Sequence, residues 1–179
     1  RFLKHSVLAA RFSAATSFGS EKMLYFLGGT DGWLFPRTNE DIPFPSNAED
    51  FAFKALAAPM RGFNINIRNG SNFALANAEL RMPLFRYLFP NSRSSLLRNF
   101  QAVGFFDVGT AWEGRNPFSE DNPLNTTTIN RSDQVEVKVN FFRDPVVAGY
   151  GVGARLLLFN YFIRVDYAWG IETKRVKSP

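Results

Sequence analysis

Residues 161–172 read YFIRVDYAWGIE. Ile163, Val165, Tyr167, Trp169 and Ile171 recur at every second position, and Arg164, Asp166, Ala168, Gly170 and Glu172 fill the gaps. Period two is the mark of a β-strand, whose successive side chains point to opposite faces. One face is therefore apolar and the other charged or small. In a soluble sandwich the charged face meets water and the apolar face a core. In a transmembrane barrel the apolar face meets lipid and the charged face the lumen. Alternation alone does not choose between them.

Working outward, the same pattern returns. VLAARFSAATSF sets Leu8, Ala10, Phe12 and Ala14 against Arg11, Ser13 and Ala15. NFALANAELRM sets Ala74, Ala76, Ala78, Leu80 and Met82 against Asn77, Glu79 and Arg81. FQAVGFFDVGTAW sets Phe100, Ala102, Phe106, Val108 and Trp112 against Gln101, Asp107 and Gly109. AGYGVGARLLL sets Tyr150, Val152, Ala154, Leu156 and Leu158 against Gly149, Gly151, Gly153 and Arg155. KMLYFLGG is a less regular sixth segment. Strands of roughly ten residues are long enough to cross a bilayer when tilted, about twice the usual soluble length.

The connections alternate as well. Short turns are expected at SFGSEK, LLFNYF and, somewhat longer, FRYLFPNSRSSLLRN, whereas long polar loops run over 30–71 and 113–147. Short turns on one side and long loops on the other are the layout of an outer-membrane barrel. Trp33, Trp112 and Tyr161 near segment ends suit interfacial aromatic girdles. The fold expected is all-β, an antiparallel transmembrane barrel. Six strands cannot close such a barrel, and open edges in lipid leave backbone groups unpaired. The chain is thus expected to be part of a longer one, with IETKRVKSP entering a basic loop and no returning strand.

Composition excludes other classes. The 179 residues, 45% apolar, suffice for a folded core, and 20 phenylalanines suit strands and membrane interfaces. With no cysteine there is neither a disulfide framework nor a thiolate metal site. The N-terminus lacks a signal-peptide layout, and no apolar run reaches the about 18 residues of a transmembrane helix, a test that overlooks barrel strands. The net charge of +5 is mild. Several of its basic residues, Arg81, Arg86, Arg93 and Arg98 and then Lys174, Arg175 and Lys177, lie at the ends of apolar segments and read as solvated strand ends within reach of lipid phosphates, not as a nucleic-acid surface.

Chemical motifs are scarce. Glu79 and Asp107 could be paired glycosidase carboxylates, but no substrate cleft is legible. GYGVGAR spaces its glycines at i, i+2 and i+4, unlike the G-x-G-x-x-G of a dinucleotide site, and reads as small residues on one strand face. His5 is the single histidine and has no neighbouring ligands, so no metal site is expected. NGS, NTT and NRS match glycosylation sequons, which carry no weight in a bacterial envelope.

YFLGG, MRGF, NFALANAELRMPL, FFDVGTAW and GYGVGARLLLFNYFIRVDYAWGIE, in that order, resemble the last third of the outer-membrane assembly-factor barrels. That superfamily comprises BamA, TamA and the two-partner secretion transporters, and is also called the bacterial surface antigen family. The resemblance spans nearly the whole chain. It implies a sixteen-stranded barrel of which this chain holds strands ten to fifteen. It also implies that the sixth extracellular loop folds into the lumen and presents a [Val/Ile]-Arg-Gly-[Phe/Tyr] tip. Arg61, Gly62 and Phe63 would be that tip, with Met60 in place of the β-branched residue. Glu79 would be the acidic residue of the twelfth strand, and Asp107 and Gly109 the thirteenth-strand motif. Parity independently puts Glu79 and Asp107 on the polar sides of adjacent strands, where one arginine fork could meet both.

The resemblance implies a non-enzymatic role at the bacterial outer membrane, without cofactor or metal. The barrel would aid insertion or translocation of proteins or lipids. Implied partners are outer-membrane lipids, unfolded outer-membrane or secreted clients, and accessory lipoproteins. An insertion of about thirty residues between LGG and MRGF departs from the better-known members. It carries Trp33, Phe35, Phe44, Phe51 and Phe53 and leaves a second reading open: a barrel anchoring or exporting a fused domain, such as a lipase or a propeller. A soluble barrel for a small apolar ligand is the third.

Overall fold

The computed structural model describes residues 5–45, 51–119, 122, 124–132, 135–140, 143–173 and 175–177. Lys174 and the side chains of Phe51 and Lys177 lie outside the described residues. The chain runs β1 (Val7–Thr16), β2 (Lys22–Leu27), β3 (Phe51–Ala57), β4 (Arg68–Gly70), β5 (Asn72–Met82), then two short helices, α1 (Leu84–Leu88) and α2 (Ser95–Asn99). It continues through β6 (Gln101–Trp112), β7 (Thr126–Ser132), β8 (Val135–Asn140), β9 (Val147–Leu158), β10 (Tyr161–Glu172) and β11 (Arg175–Lys177).

Six strands form one antiparallel sheet in the order β1-β5-β6-β9-β10-β11. The registers keep parity across the sheet: Arg11 opposes Asn77, Asn77 opposes Asp107, Asp107 opposes Gly149 and Gly149 opposes Gly170. As a result Arg11, Glu79, Arg81, Asp107, Arg155, Arg164, Asp166 and Glu172, the charged residues of the five long strands, share one face. The opposite face carries no charge. Leu8 and Phe12 are 77% and 74% exposed there, and Phe106, Tyr150, Val152, Val165 and Tyr167 are exposed beside them. Arg11 of β1 and Arg164 of β10 line one cavity of about 600 Å³, so the sheet bends toward its charged face. Among the described residues it does not close, and β1 and β11 are its edges.

The two rims differ. At one, β9 and β10 are joined by Phe159–Asn160, both at positive φ as a type I′ hairpin requires, and β5 and β6 by the α1–α2 connection. At the other, 17–71 and 113–146 connect strands that would need only a few residues.

Three expectations need correction. KMLYFLGG does not extend the main sheet. β1 pairs with β5 along its full length, and β2 lies in a separate three-stranded sheet, parallel to β3 and antiparallel to β4. Leu24 and Leu27 are both buried, so β2 lacks the single apolar face a lipid-facing strand needs. The main sheet thus has five long strands and a short sixth. Secondly, the described residues of 30–71 form a folded insert, and those of 113–147 include the β7–β8 hairpin. Gly29 and Phe63, Met60 and Gly29, and Ile67 and Leu27 join the insert by backbone hydrogen bonds. Met60, Phe63 and Ile67 pack with Leu27 and Ala57 onto Leu75, Ala111 and Val147 of the main sheet. Burying those side chains stabilises the docked insert by roughly 1.5–3 kcal/mol for each large one. Thirdly, a returning strand follows Glu172: β11 pairs with Gly170–Glu172.

Candidate functional site

The tip of the insert lies against the charged face. Nothing in a single Arg-Gly-Phe dictates this; the sheet supplies a bare floor for it. A Cβ at Gly149 would collide with the Arg61 carbonyl oxygen, and one at Gly170 would fall 2.6 Å from the Gly62 carbonyl oxygen and as close to the Phe63 ring. Gly62 itself has φ +89°, and a Cβ there would stand 2.6 Å from the Trp169 carbonyl carbon. Backbone meets backbone at glycine on both sides of the contact, an approach no other residue permits. Gly149 thus has a structural use that neighbouring strands alone do not explain, whereas Gly151 and Gly153 have Tyr167, Phe105 and Asp166 of the adjoining strands against them.

Arg61 is 3% exposed. Its Nε donates to Asp107 Oδ2 at 2.7 Å and its Nη2 to Asp107 Oδ1 at 2.6 Å, a two-pronged fork on one carboxylate. Its Nη1 donates to Glu79 Oε1 at 2.5 Å, and its backbone N–H to Asp107 Oδ2 at 3.1 Å. The guanidinium carbon lies 3.7 Å from the Phe105 ring centroid, a cation–π contact on its flat side. Burial pulls the Arg61 pKa down, but the bonds and charges of Asp107 and then Glu79 more than offset it and hold it above its ordinary value. The arginine is charged at every accessible pH. Asp107, fully buried, also accepts from Asn77 Nδ2 at 2.8 Å, and the same amide donates to the Pro59 carbonyl. Glu79 accepts two bonds from Arg81. Arg155 pairs with Asp166 at 2.5 Å and stands 3.8 Å from Glu79.

Arg61, Gly62, Phe63, Glu79 and Asp107 are therefore brought together. Gly109 is not among Arg61's partners. It lies one turn of the pleat nearer the rim, where a Cβ would meet Leu75 and Leu27 side chains, so it admits the core of the insert. The guanidinium bonds both candidate carboxylates, which leaves neither as the free acid and nucleophile of a glycosidase pair. His5 sits at the far rim, its backbone N–H donating to the Tyr87 hydroxyl. Among the described residues no three His, Asp or Glu are placed to hold a metal ion.

A second buried cation escaped the sequence reading. Arg68 donates to Glu172 Oε1 at 2.8 Å, to the Asp144 carbonyl through Nε and Nη2, and to the carbonyl of the preceding residue, Ile67. It joins the insert, the loop before β9 and the end of β10. Burial lowers its pKa, and the bond and charge of Glu172 offset only part of that. Nothing local in NINIRNG marks Arg68, although parity had put Glu172 on the polar face. Two other contributors were legible. Asn77 shares parity with Glu79, and Phe105 is a bulky aromatic on the charged face, an anomaly that signals an inward partner.

No family model matches this chain, and neither a curated protein nor a solved structure does.

Proposed function

We propose that this chain forms part of an outer-membrane β-barrel of the assembly-factor superfamily, which aids insertion or translocation of proteins or lipids without covalent chemistry. The observation that carries the reading is the insert clamped through Arg61 to Asp107 and Glu79 on a face holding every charge of the long strands, while the opposite face is apolar and exposed. Water-exposed apolar surface of this extent is abnormal for a monomeric soluble protein and ordinary for a lipid-facing belt. Inward-facing charges next to a docked insert fit a lumen that must be filled yet openable.

On this reading the long connections 17–71 and 113–146 lie at the cell exterior and the α1–α2 connection at the periplasmic rim. The insert is a plug, and its Arg61 contact sets the cost of moving it. The strand assignment differs from the one expected: β1, β5, β6, β9 and β10 are the long wall strands, β11 opens the next, and β2 belongs to the plug.

The test is reconstitution. The protein is placed in liposomes, and urea-unfolded outer-membrane protein is diluted onto them. Folding of that client, read as heat-modifiable migration, is expected to accelerate over empty liposomes. A bilayer-inserted protein that leaves client folding unchanged removes the insertion role and favours a barrel that anchors or exports a fused domain.

A further inference from the structure

We infer that the α1–α2 connection is a binding surface for anionic phospholipid, with Arg86 and Arg98 holding the headgroup phosphate. The inference rests on the sheet's crossing a bilayer, as proposed above. Residues 83–100, PLFRYLFPNSRSSLLRNF, contain Arg86, Arg93 and Arg98 and no acidic residue. Both helices are too short to bury a face of their own, and neither holds a buried residue. Leu88, Phe89 and Leu96 are exposed between the arginines. Water disfavours such a mixture, whereas the boundary of a bilayer accommodates it, apolar side chains entering the acyl region and arginines reaching phosphate.

Position makes the case specific. The connection leaves β5 after Met82 and enters β6 before Ala102, both on the uncharged face, so it continues that face at its rim. The neighbouring β9–β10 turn exposes Phe159, and Tyr161 is exposed on the uncharged face at the same rim, as in an aromatic girdle. Within the connection a groove of about 190 Å³ is lined by Arg86, Arg98 and Asn91 together with Phe85, Phe89 and Leu97. Phe85 is kept in place by Phe100, ring centroids 4.9 Å apart. Two arginines and two phenylalanines lining one groove suit one phosphodiester with an acyl chain leading away from it. At the opposite rim Lys22 is paired with Glu113 and Arg68 with Glu172.

The experiment compares lipids retained by the protein after extraction from vesicles of equal phosphatidylglycerol and phosphatidylcholine, counted by native mass spectrometry. Bilayer insertion is scored separately, by protease protection in the same vesicles. The wild-type protein is expected to insert and to keep phosphatidylglycerol at least fivefold over phosphatidylcholine. Arg86→Gln with Arg98→Gln is expected to insert equally and lose that preference, while Arg86→Lys with Arg98→Lys keeps most of it. An inserted protein with no preference, or one whose preference survives the glutamine pair, overturns the site and leaves the barrel intact. Displacement of the lipid by inorganic phosphate at equal concentration also overturns it, since a free anion would then be the ligand. A wild-type protein that does not insert refutes the barrel and the site together.

Discussion

Asp107 receives three hydrogen bonds from Arg61, two from the guanidinium and one from the backbone N–H, on a carboxylate with no exposed surface. The pair links an insert residue to the middle of β6 across 46 positions of sequence. Its members cannot be separated without leaving a charge buried and unpaired, and removing one partner from such a pair costs about 3–5 kcal/mol. Asp107→Ala is therefore expected to destabilise the docked insert by about that amount. Arg61→Met with Asp107→Leu, which removes both charges, should cost less. Denaturant melts of the insert, followed by protease cleavage within 17–71, measure both. Equal loss in the two variants would show that the pair's charge is not what holds the insert.

Gly149 and Gly170 test the approach without touching any charge. Gly149→Ala places a methyl group against the Arg61 carbonyl, and Gly170→Ala places one against Phe63. Both are expected to loosen the insert by about 1–3 kcal/mol, the usual cost of overpacking. Gly104→Ala is the control, since a Cβ there meets nothing within 4 Å. Protease sensitivity of the insert should rise in the first two and stay unchanged in the third.

Arg68 and Glu172 form a clasp that shares no partner with Arg61. Sites without shared partners add to within about 0.5 kcal/mol. Glu172→Gln and Asp107→Asn should accordingly sum in a double variant. A larger combined loss, measured by the same melts, would mean that the insert leaves its seat only as one unit.

Glu113 ties the base of the insert to β6, accepting from the Ser71 backbone N–H at 2.9 Å and from Lys22 Nζ at 3.0 Å. Burial raises its carboxyl pKa, but the bonds from Ser71 and Lys22 outweigh this and hold it below the ordinary 4.5. A depressed carboxylate contributes stability that is complete above its unfolded value and fades as pH falls through the folded one. The insert is therefore expected to loosen below about pH 4.5. Glu113→Gln should flatten the part of the pH profile that this residue contributes, in thermal melts between pH 3 and 6. An unchanged profile would assign that pH dependence to other groups.

Val152 lies on the uncharged face near the middle of β9 and is exposed. On a soluble surface Val152→Arg would change stability by no more than about 0.5 kcal/mol. Facing the bilayer midplane, the same arginine should cost about 2–4 kcal/mol. Folding equilibria in lipid vesicles and in detergent decide between these values.

The five long strands and their facing were legible in the sequence, because side-chain direction in a strand depends on residue parity and on nothing distant. Parity alone put Glu79, Asp107, Arg155 and Glu172 on the same class of face, and the registers place them on one side of one sheet. What parity could not decide was which strands pair. KMLYFL has strand-like content, yet whether it joins β1 or folds back onto β3 and β4 depends on where Leu24 and Leu27 find apolar neighbours. The meeting of Arg61 with Asp107, and of Arg68 with Glu172, likewise depended on tertiary structure. Each spans tens of residues or more, and each becomes possible only where glycines, a phenylalanine ring or a loop carbonyl leave a guanidinium room to be buried with its charge matched.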